Sequence, residues 1–344
     1  MSLKLSVLDL IGVRSGQSTS DALAASIALA RRADALGYHR YWVAEHHNMP
    51  AVASTSPPVA VALLAASTER IRVGSGGVML PNHSPLVVAE QFALLEAYAP
   101  GRIDLGLGRA PGADPVVNAV LHAAAGAGSA EQFPAGVQDI AALLGADGAK
   151  VPLHGGKDYP LRSTPAATSA PEIWLLGSSD FTAQLAARLG LPYVFAAHFF
   201  AGQGTERALE LYRGAYQPSE RHPTPRTLIT ANVVVAPRRE EAQALARPQL
   251  LQMAFLRSGR PMTPLRTVEE AAATEPSERE QTLIEQMGGA WIVDEPEPAR
   301  ERVRELAARF GADEVMVVPA ASAHADAPRD RYPARERTLE LLAA

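Results

Sequence analysis

The sequence has no cysteine among its 344 residues. This absence excludes disulfide bonds, a catalytic thiolate, and zinc or iron–sulfur centres held by cysteine. A chain of this length can bury a core large enough to fold without such cross-links. Any catalytic or ligand-binding side chain in this protein is therefore of another type.

Long apolar runs and charge of one sign are missing as well. No segment approaches the roughly 20 apolar residues that a membrane-spanning helix needs. The 32 basic and 37 acidic residues give a net charge of −5, and no basic patch with interleaved aromatic residues stands out, so neither nucleic acid nor a membrane is an expected partner. The N-terminal apolar run carries Asp9 and lacks a small-residue cleavage site, which favours a first strand over a signal peptide. We expect a cytoplasmic protein.

Strand-like and helix-like segments alternate along almost the whole chain, and we expect one domain over residues 1–344. The strand candidates are 3–10, 40–45, 71–80, 103–108, 173–177, 192–199, 227–236 and 313–318. Eight such units favour a closed (β/α)8 TIM barrel, an α/β fold, over an open doubly wound sheet. No G-x-G-x-x-G motif follows the first strand, which weighs against a dinucleotide-binding sheet. The first helix is predicted to be capped by Ser20–Asp21 and to stop at Gly37.

Two segments interrupt this alternation. Residues 112–171 are rich in Ala, Gly and Pro, and residues 258–290 combine three prolines with many charges. Long insertions after barrel strands usually lie at the C-terminal face of the barrel. Both are therefore predicted to act as walls or lids over a site.

Residues Gly177, Ser178 and Ser179 end a predicted strand and open a helix. Exposed N–H groups and hydroxyls at a helix N-terminus bind anions, and an arginine such as Arg109, after the fourth strand, can bind phosphate in a bidentate manner. The alternative is that a serine only caps the helix and that Arg109 pairs with a surface carboxylate. Together, at neighbouring strand ends, these residues favour a phosphate site.

Glycines 74, 76 and 77 lie inside an otherwise good strand, which glycine weakens. Close approach of a flat ligand is one explanation, and a bulge or strained peptide bond is another. The flanking IRV and VML segments argue against a flexible loop.

His46 and His47 follow the second strand, directly after Glu45. Adjacent histidines in an extended segment point to opposite sides, so a shared metal ranks last. A structural pair with one buried imidazole and a role in proton transfer or charge stabilisation both stay open.

In four blocks the chain closely resembles the luciferase-like monooxygenase family, in particular its FMN-type, alkanal-monooxygenase-like members: YWVAEHHN (41–48), RVGSGGVMLPNHSPLVVAEQFALLE (72–96), PGRIDLGLGR (100–109) and IWLLGSSDFTAQLAARLGLPYVFAAHF (173–199). The resemblance covers roughly residues 3–110 and 172–236 and is weaker through 298–318.

The resemblance implies a TIM barrel that binds reduced FMN at its C-terminal face. In the family, reduced flavin and O2 give a C4a-hydroperoxide that oxygenates an aldehyde or another small organic substrate. By position, the resemblance implies a catalytic histidine at His46, with His47 second in the pair; a non-prolyl cis peptide beneath the flavin ring at Gly76–Gly77, followed by Val78; a phosphate arginine at Arg109; and a phosphate-binding turn at Gly177, Ser178 and Ser179. The insertion 258–290 takes the place of the family's mobile active-site loop.

The chain departs from the family pattern at two places. Gly108 stands where luciferases have a cysteine, and residues 120–133 are Ala-rich where relatives have an arginine-containing helix. A second phosphate arginine is therefore in doubt, and Arg162 is a candidate to replace it. His198, at the end of the sixth predicted strand, is a further candidate whose contribution stays open.

We expect an FMN-dependent monooxygenase that receives reduced FMN from a separate NAD(P)H:flavin reductase, because no NAD(P)H-binding fingerprint is visible. A deazaflavin (F420)-dependent hydride-transfer oxidoreductase is the second hypothesis. A non-catalytic flavin-binding protein and a barrel hydrolase without flavin follow. The resemblance also implies a homodimer formed through the helices after strands two and three, with which the apolar segment 59–67 is compatible.

Overall fold

Strands and helices alternate in the folded chain. The computed structural model describes residues 3–110, 112–125, 130–154, 156–165, 168–198 and 202–344. Within them the strands are β1 (Lys4–Asp9), β2 (Arg40–Val43), β3 (Arg72–Met79), β4 (Ile103–Gly108), β5 (Ala149–Pro152), β6 (Asp158–Leu161), β7 (Glu172–Gly177), β8 (Tyr193–Phe195), β9 (Thr227–Val235), β10 (Ile292–Asp294) and β11 (Glu314–Pro319). The helices are α1 (Thr19–Ala35), α2 (Pro57–Ser67), α3 (Pro85–Tyr98), α4 (Pro115–Ala125), α5 (Phe133–Leu144), α6 (Asp180–Leu189), α7 (Thr205–Gly214), α8 (Arg239–Arg257), α9 (Val268–Ala272), α10 (Glu278–Ala290), α11 (Pro296–Phe310) and α12 (Pro333–Ala343), with a 3-10 turn at Leu80–Asn82.

Eight of the described strands close into a parallel barrel. They pair in the order β1-β2-β3-β4-β7-β8-β9-β11, and β11 returns to β1. The predicted (β/α)8 barrel is confirmed, and each of the eight predicted strands contributes to it. Because all neighbours are parallel, every carboxyl end lies at the same rim.

An ion-pair layer fills the opposite end of the barrel. Arg40 points into the barrel and donates to Asp104 at 2.8 Å, to Glu172 at 3.1 Å and to Glu314 at 3.0 Å. Two residues further along β2, the Trp42 indole also donates to Asp104, at 2.9 Å. Charges buried in this way are tolerated because each one has partners. The N-terminal end of the barrel is therefore plugged, which leaves the carboxyl rim for ligands.

Helix α1 begins two residues before its predicted start. Ser18, not Ser20, is the N-cap: its hydroxyl accepts from the Asp21 N–H at 3.2 Å, and the Asp21 carboxylate accepts from the Ser18 N–H at 2.8 Å. A capping box needs its acidic residue three positions after the cap, and only Ser18 has this spacing to Asp21. The helix ends at Ala35, just before Gly37 with its positive φ of 78°.

Both insertions contain helices in their described parts. Residues 112–171 contain α4, α5 and the antiparallel hairpin β5–β6. Residues 258–290 contain α9 and α10, each of which starts with a capping box. Strand β10, which pairs with β9 outside the barrel, and the C-terminal helix α12 were not predicted. No described helix is both long and apolar enough to cross a bilayer.

Candidate functional site

The predicted site residues all lie at the carboxyl rim. His46 and His47 follow β2, Gly76 to Val78 lie near the end of β3, Arg109 follows β4, Gly177 to Ser179 join β7 to α6, and His198 follows β8. Strand order therefore brings residues as far apart in the chain as His46 and His198 to the same rim.

His47 is held by a buried carboxylate. Glu45 is fully buried, and one of its oxygens accepts from the Nε2 atoms of His47 and His83, each at 2.8 Å. The other oxygen accepts from the Met79 N–H at 2.9 Å. Burial alone would raise the pKa of Glu45, but these hydrogen bonds, with His83 first, hold the pKa below its usual value. A carboxylate only accepts, so both Nε2 atoms carry protons, and Glu45 joins the end of β2 to the end of β3.

His46 points away from this cluster. Its Nδ1 is buried and has no hydrogen-bond partner among the described residues, while its backbone N–H donates to the Ser54 carbonyl at 2.9 Å. Burial lowers the pKa of His46. The neighbouring Glu45 raises this pKa and His47 lowers it, so the net shift is downward. The imidazole is thus neutral near pH 7 and offers a nitrogen to a ligand. The structure separates the pair into one histidine bonded to the protein and one available to a ligand.

His198 is a second neutral imidazole in the same region. Its Nδ1 lies 2.6 Å from the Thr230 hydroxyl, and its carbonyl accepts from the Asn232 amide at 3.0 Å. Burial, followed by the nearby His46, lowers the pKa of His198 to about 3. Thr230 and Asn232 carry no sequence motif, and only their alternate positions on one strand could have marked them as facing the rim together.

The peptide bond between Gly76 and Gly77 is cis, the geometry that the resemblance implies there. The pairing of β3 with β4 also shifts register between Gly76 and Val78, so the strand carries a bulge. A Cβ on Gly77 would lie 2.7 Å from the Gly106 carbonyl oxygen, and one on Gly76 would lie 2.7 Å from Leu8. The bulge, the Leu8 side chain beside Gly76 and the Gly106 backbone beside Gly77 explain these glycines, and their contact with a flavin stays a prediction.

Arg109 and the start of α6 form the predicted phosphate region. The guanidinium lies 4.3 Å over the Phe181 ring, and within the described residues no carboxylate pairs with it. Ser179 is the N-cap of α6, but its side chain makes no capping hydrogen bond, and Ser178 is exposed. The first acidic residue of the helix, Asp180, is already paired with Arg207 at 2.8 Å. Among the described residues, the surface ion pair considered for Arg109 is therefore absent. Its guanidinium and the N-terminus of α6 are both accessible to an anion.

Arg162 lies elsewhere on the insertion. It is exposed, and its side chain packs against Gly148 at the open end of the β5–β6 hairpin. No contact in the described part of the chain joins it to Arg109 or to Ser178, so a compensating role for it stays a prediction.

A cavity of about 470 Å³ opens at the rim beside His46 and His198. Its wall comes from the ends of β1, β9 and β11, from α8 and from the insertion 258–290 with α10; the lining includes Leu10, Asn232, Met253, Met262, Met287 and Trp291. Residues of the 258–290 insertion line this cavity, and the insertion contributes the helices α9 and α10. Its role as a wall or lid over an active site stays a prediction. The α8 and α10 residues were not predicted, because their sequence shows ordinary helical amphipathicity.

The rim thus has two parts. We call the ends of β8, β9, β11, β1 and β2 the cavity arc, and the ends of β3, β4 and β7, with their glycines and Arg109, the glycine arc. Of the predicted residues, His46 lines the cavity, whereas Arg109 and the two glycine segments do not. His46 on β2 and His198 on β8 stand at the two boundaries between the arcs. A ligand that is anchored at the glycine arc would present its other end between these imidazoles.

Known proteins are similar in sequence to most of this chain. The sequence profile of the luciferase-like monooxygenase family matches residues 3–314. An Escherichia coli (strain K12) protein named luciferase-like monooxygenase is 39% identical over 320 residues, covering 92% of this chain and 91% of that protein. The Bacillus subtilis (strain 168) N-acetyl-S-alkylcysteine monooxygenase is 40% identical over 214 residues, which cover 62% of each chain.

Solved structures show the same fold. The apo form of MsnO8 superposes with a TM-score of 0.86 at 34% identity, covering 99% of this chain and 98% of that one. The oxygenating constituent of 3,6-diketocamphane monooxygenase from Pseudomonas putida, a type II Baeyer–Villiger monooxygenase in complex with FMN, has a TM-score of 0.72 at 18% identity, covering 99% and 97%. An F420-dependent secondary alcohol dehydrogenase has a TM-score of 0.65 at 14% identity, with 99% of each chain covered. The last two likenesses concern the fold alone.

Proposed function

The chain belongs to the luciferase-like monooxygenase family, and from this premise we propose that it is a monooxygenase that uses reduced FMN and O2 to oxygenate a small organic substrate. One observation carries the proposal: His46, whose buried Nδ1 has no partner among the described residues, lines a cavity of substrate size on the same rim as Arg109, a cation that no described carboxylate pairs with.

The residues at the rim fit FMN. Arg109 and the N–H groups at the start of α6 would hold its single phosphate. The Gly76–Gly77 peptide, which has no side chain to obstruct a flat ring, would lie against the flavin, with Val78 next to it. Reduced FMN would supply the electrons with which O2 is activated. The compact phosphate region favours FMN over the longer F420.

His46 would hold or move a proton at Nδ1. Its lowered pKa keeps the imidazole neutral, so this nitrogen can donate or accept depending on its tautomer. His47, bonded to Glu45, would position this segment rather than react, which refines its predicted catalytic role. The cavity walls from α8 and α10 would exclude water from the reaction.

Partners belong to the same proposal. Reduced FMN would come from a separate NAD(P)H:flavin reductase through transient contact in the cytoplasm. A homodimer would form through α2 and α3, whose outer faces expose Val59, Leu63, Leu94 and Tyr98.

The test is an anaerobic titration with photoreduced FMN and, separately, photoreduced F420, followed by admission of O2 and absorbance spectroscopy. We expect tight binding of FMN and a transient flavin spectrum that His46→Ala shortens or abolishes. His154→Ala, at an exposed hairpin histidine, is the matched control. Binding of F420 alone would favour hydride transfer, FMN binding with no reaction would favour a flavin carrier, and binding of neither flavin would reject the proposal.

A further inference from the structure

Arg335, from the first turn of α12, is a buried cation in the wall of the cavity. The residue is 8% exposed, and the cavity lining includes both Arg335 and Asp9. Neither belongs to the flavin site proposed above, since they lie on the cavity arc beside β1 and β11.

The guanidinium is only partly satisfied by the protein. Its Nε donates to the Ala321 carbonyl at 3.2 Å, one Nη1 hydrogen goes to Asp9 at 3.3 Å, and one face covers the Tyr332 ring at 4.4 Å. An arginine has five N–H donors. The three others, including both on Nη2, have no acceptor among the described residues. Nη2 is not among the fully enclosed polar atoms that lack a partner, so it reaches open space, where a ligand or solvent oxygen can accept from it.

The open donors face the cavity side. A Cβ built on Gly12 would lie 2.9 Å from Nη2, and Gly12 lines the cavity. The absence of a side chain at this position leaves the edge of the guanidinium uncovered.

The charge of Arg335 is already balanced. Asp9 is 1% exposed and also accepts from Ser26 at 2.6 Å, from Tyr41 at 2.7 Å and from the Ile11 N–H at 3.0 Å. A second carboxylate next to this one would be repelled at low dielectric, whereas a neutral oxygen would not. The remaining wall is largely apolar, with Met253, Met262 and Trp291 among its residues.

We propose that Arg335 is the polar anchor of the substrate subsite and binds an uncharged carbonyl oxygen, with the apolar part of the substrate against α8 and α10. The inference rests on the proposed function, because the ligand is a substrate only if the protein is the proposed enzyme. Binding of the carbonyl compound itself requires no flavin.

The test is calorimetric titration of the flavin-free protein with three probes of similar shape: 2-heptanone, its alkene isostere 2-methyl-1-heptene, and heptanoate. We expect the ketone to bind at least about tenfold more tightly than the alkene, as a hydrogen bond to a charged donor does. Arg335→Met should bring this ratio close to one. Gly12→Ala, whose Cβ would lie 2.9 Å from Nη2, should cover this edge of the guanidinium and reduce the ratio in a protein that still folds. Arg14→Met, at another buried arginine that does not line this cavity, should leave it unchanged.

Equal binding of ketone and alkene to the unaltered protein would overturn the inference, as would an unchanged ratio in Gly12→Ala. Tighter binding of heptanoate would show an anion site instead. FMN titration of the same variants separates the two proposals: loss of FMN affinity with retained ketone affinity would assign Arg335 to a flavin carbonyl, and failure of every variant and the parent to bind FMN would reject the proposed function alone.

Discussion

Two histidines with lowered pKa values give this protein a reason to lose stability in mild acid. His198 has its pKa lowered to about 3 by burial, and His39 has its pKa lowered to about 4 by burial and by the neighbouring Arg40. In the unfolded chain both would titrate near pH 6.5. Between these values the unfolded state binds the extra proton, so the free energy of unfolding falls as the pH is lowered.

The first prediction isolates His198. His198→Gln keeps a polar side chain beside Thr230 but cannot take up the proton, so the slope of stability against pH should decrease by up to about 1.4 kcal/mol per pH unit between roughly pH 6 and pH 4.5. Urea unfolding at several pH values measures this slope, to which His39 continues to contribute. His154→Gln, on the exposed hairpin, should leave the slope as it is. An identical slope in His198→Gln would show that the imidazole is protonated in the folded protein.

Element by element, the parallel strands determine which side chains meet. β4 and β7 are neighbours, so the residues that follow them, Arg109 and Ser178, reach the same part of the rim. The combination of a cation with no carboxylate partner and an uncapped helix start would bind a phosphate more strongly than either part alone.

Arg109→Gln should therefore weaken binding of FMN at least about tenfold, since a charge-assisted hydrogen bond is lost, while binding of riboflavin, which has no phosphate, should change little. Fluorescence titration with both flavins measures the two affinities. Arg162→Gln serves as the control for removal of an insertion arginine. Parallel losses for FMN and riboflavin would mean that Arg109 supports the fold or the ring, and a loss in Arg162→Gln would restore it as the second phosphate arginine.

The pairing of strands and the packing of helices also explain which features could be predicted from the sequence. The eight barrel strands are long or apolar enough to carry a local signal, and strand ends such as His46 and Arg109 follow directly from them. Strand β10 pairs with the last three residues of β9, outside the barrel, so its place in the sheet depends on tertiary pairing that no local pattern marks. Arg335 is 326 residues from Asp9 in the sequence, and their contact depends on how α12 packs beside β1. The predicted N-cap of α1 was wrong for a local reason. A capping box needs its two residues three positions apart, as Ser18 and Asp21 are, whereas Ser20 is adjacent to Asp21.

At the scale of the whole molecule, the barrel has a plugged N-terminal end, a carboxyl rim with the candidate site, and one side with exposed apolar residues. Helices α2 and α3 are rich in apolar residues, and several on their outer faces are exposed: Val59 62%, Leu94 59% and Tyr98 63%. Adjacent helices with exposed apolar residues are typical of a surface that another chain covers. That residues 1–344 form a single domain likewise stays a prediction.

A second copy of this chain would cover that side through a two-fold axis, in which each substituted residue enters the interface twice. Leu94→Glu should therefore convert a dimer into a monomer in light scattering coupled to size exclusion, because two carboxylates would be buried without partners. The fold should persist, since Leu94 points outward from α3. Val116→Glu, at the 74% exposed position on α4, tests whether any added carboxylate has this effect and should remain dimeric. A monomeric parent protein, or a dimer that Leu94→Glu leaves intact, would contradict an interface on α2 and α3.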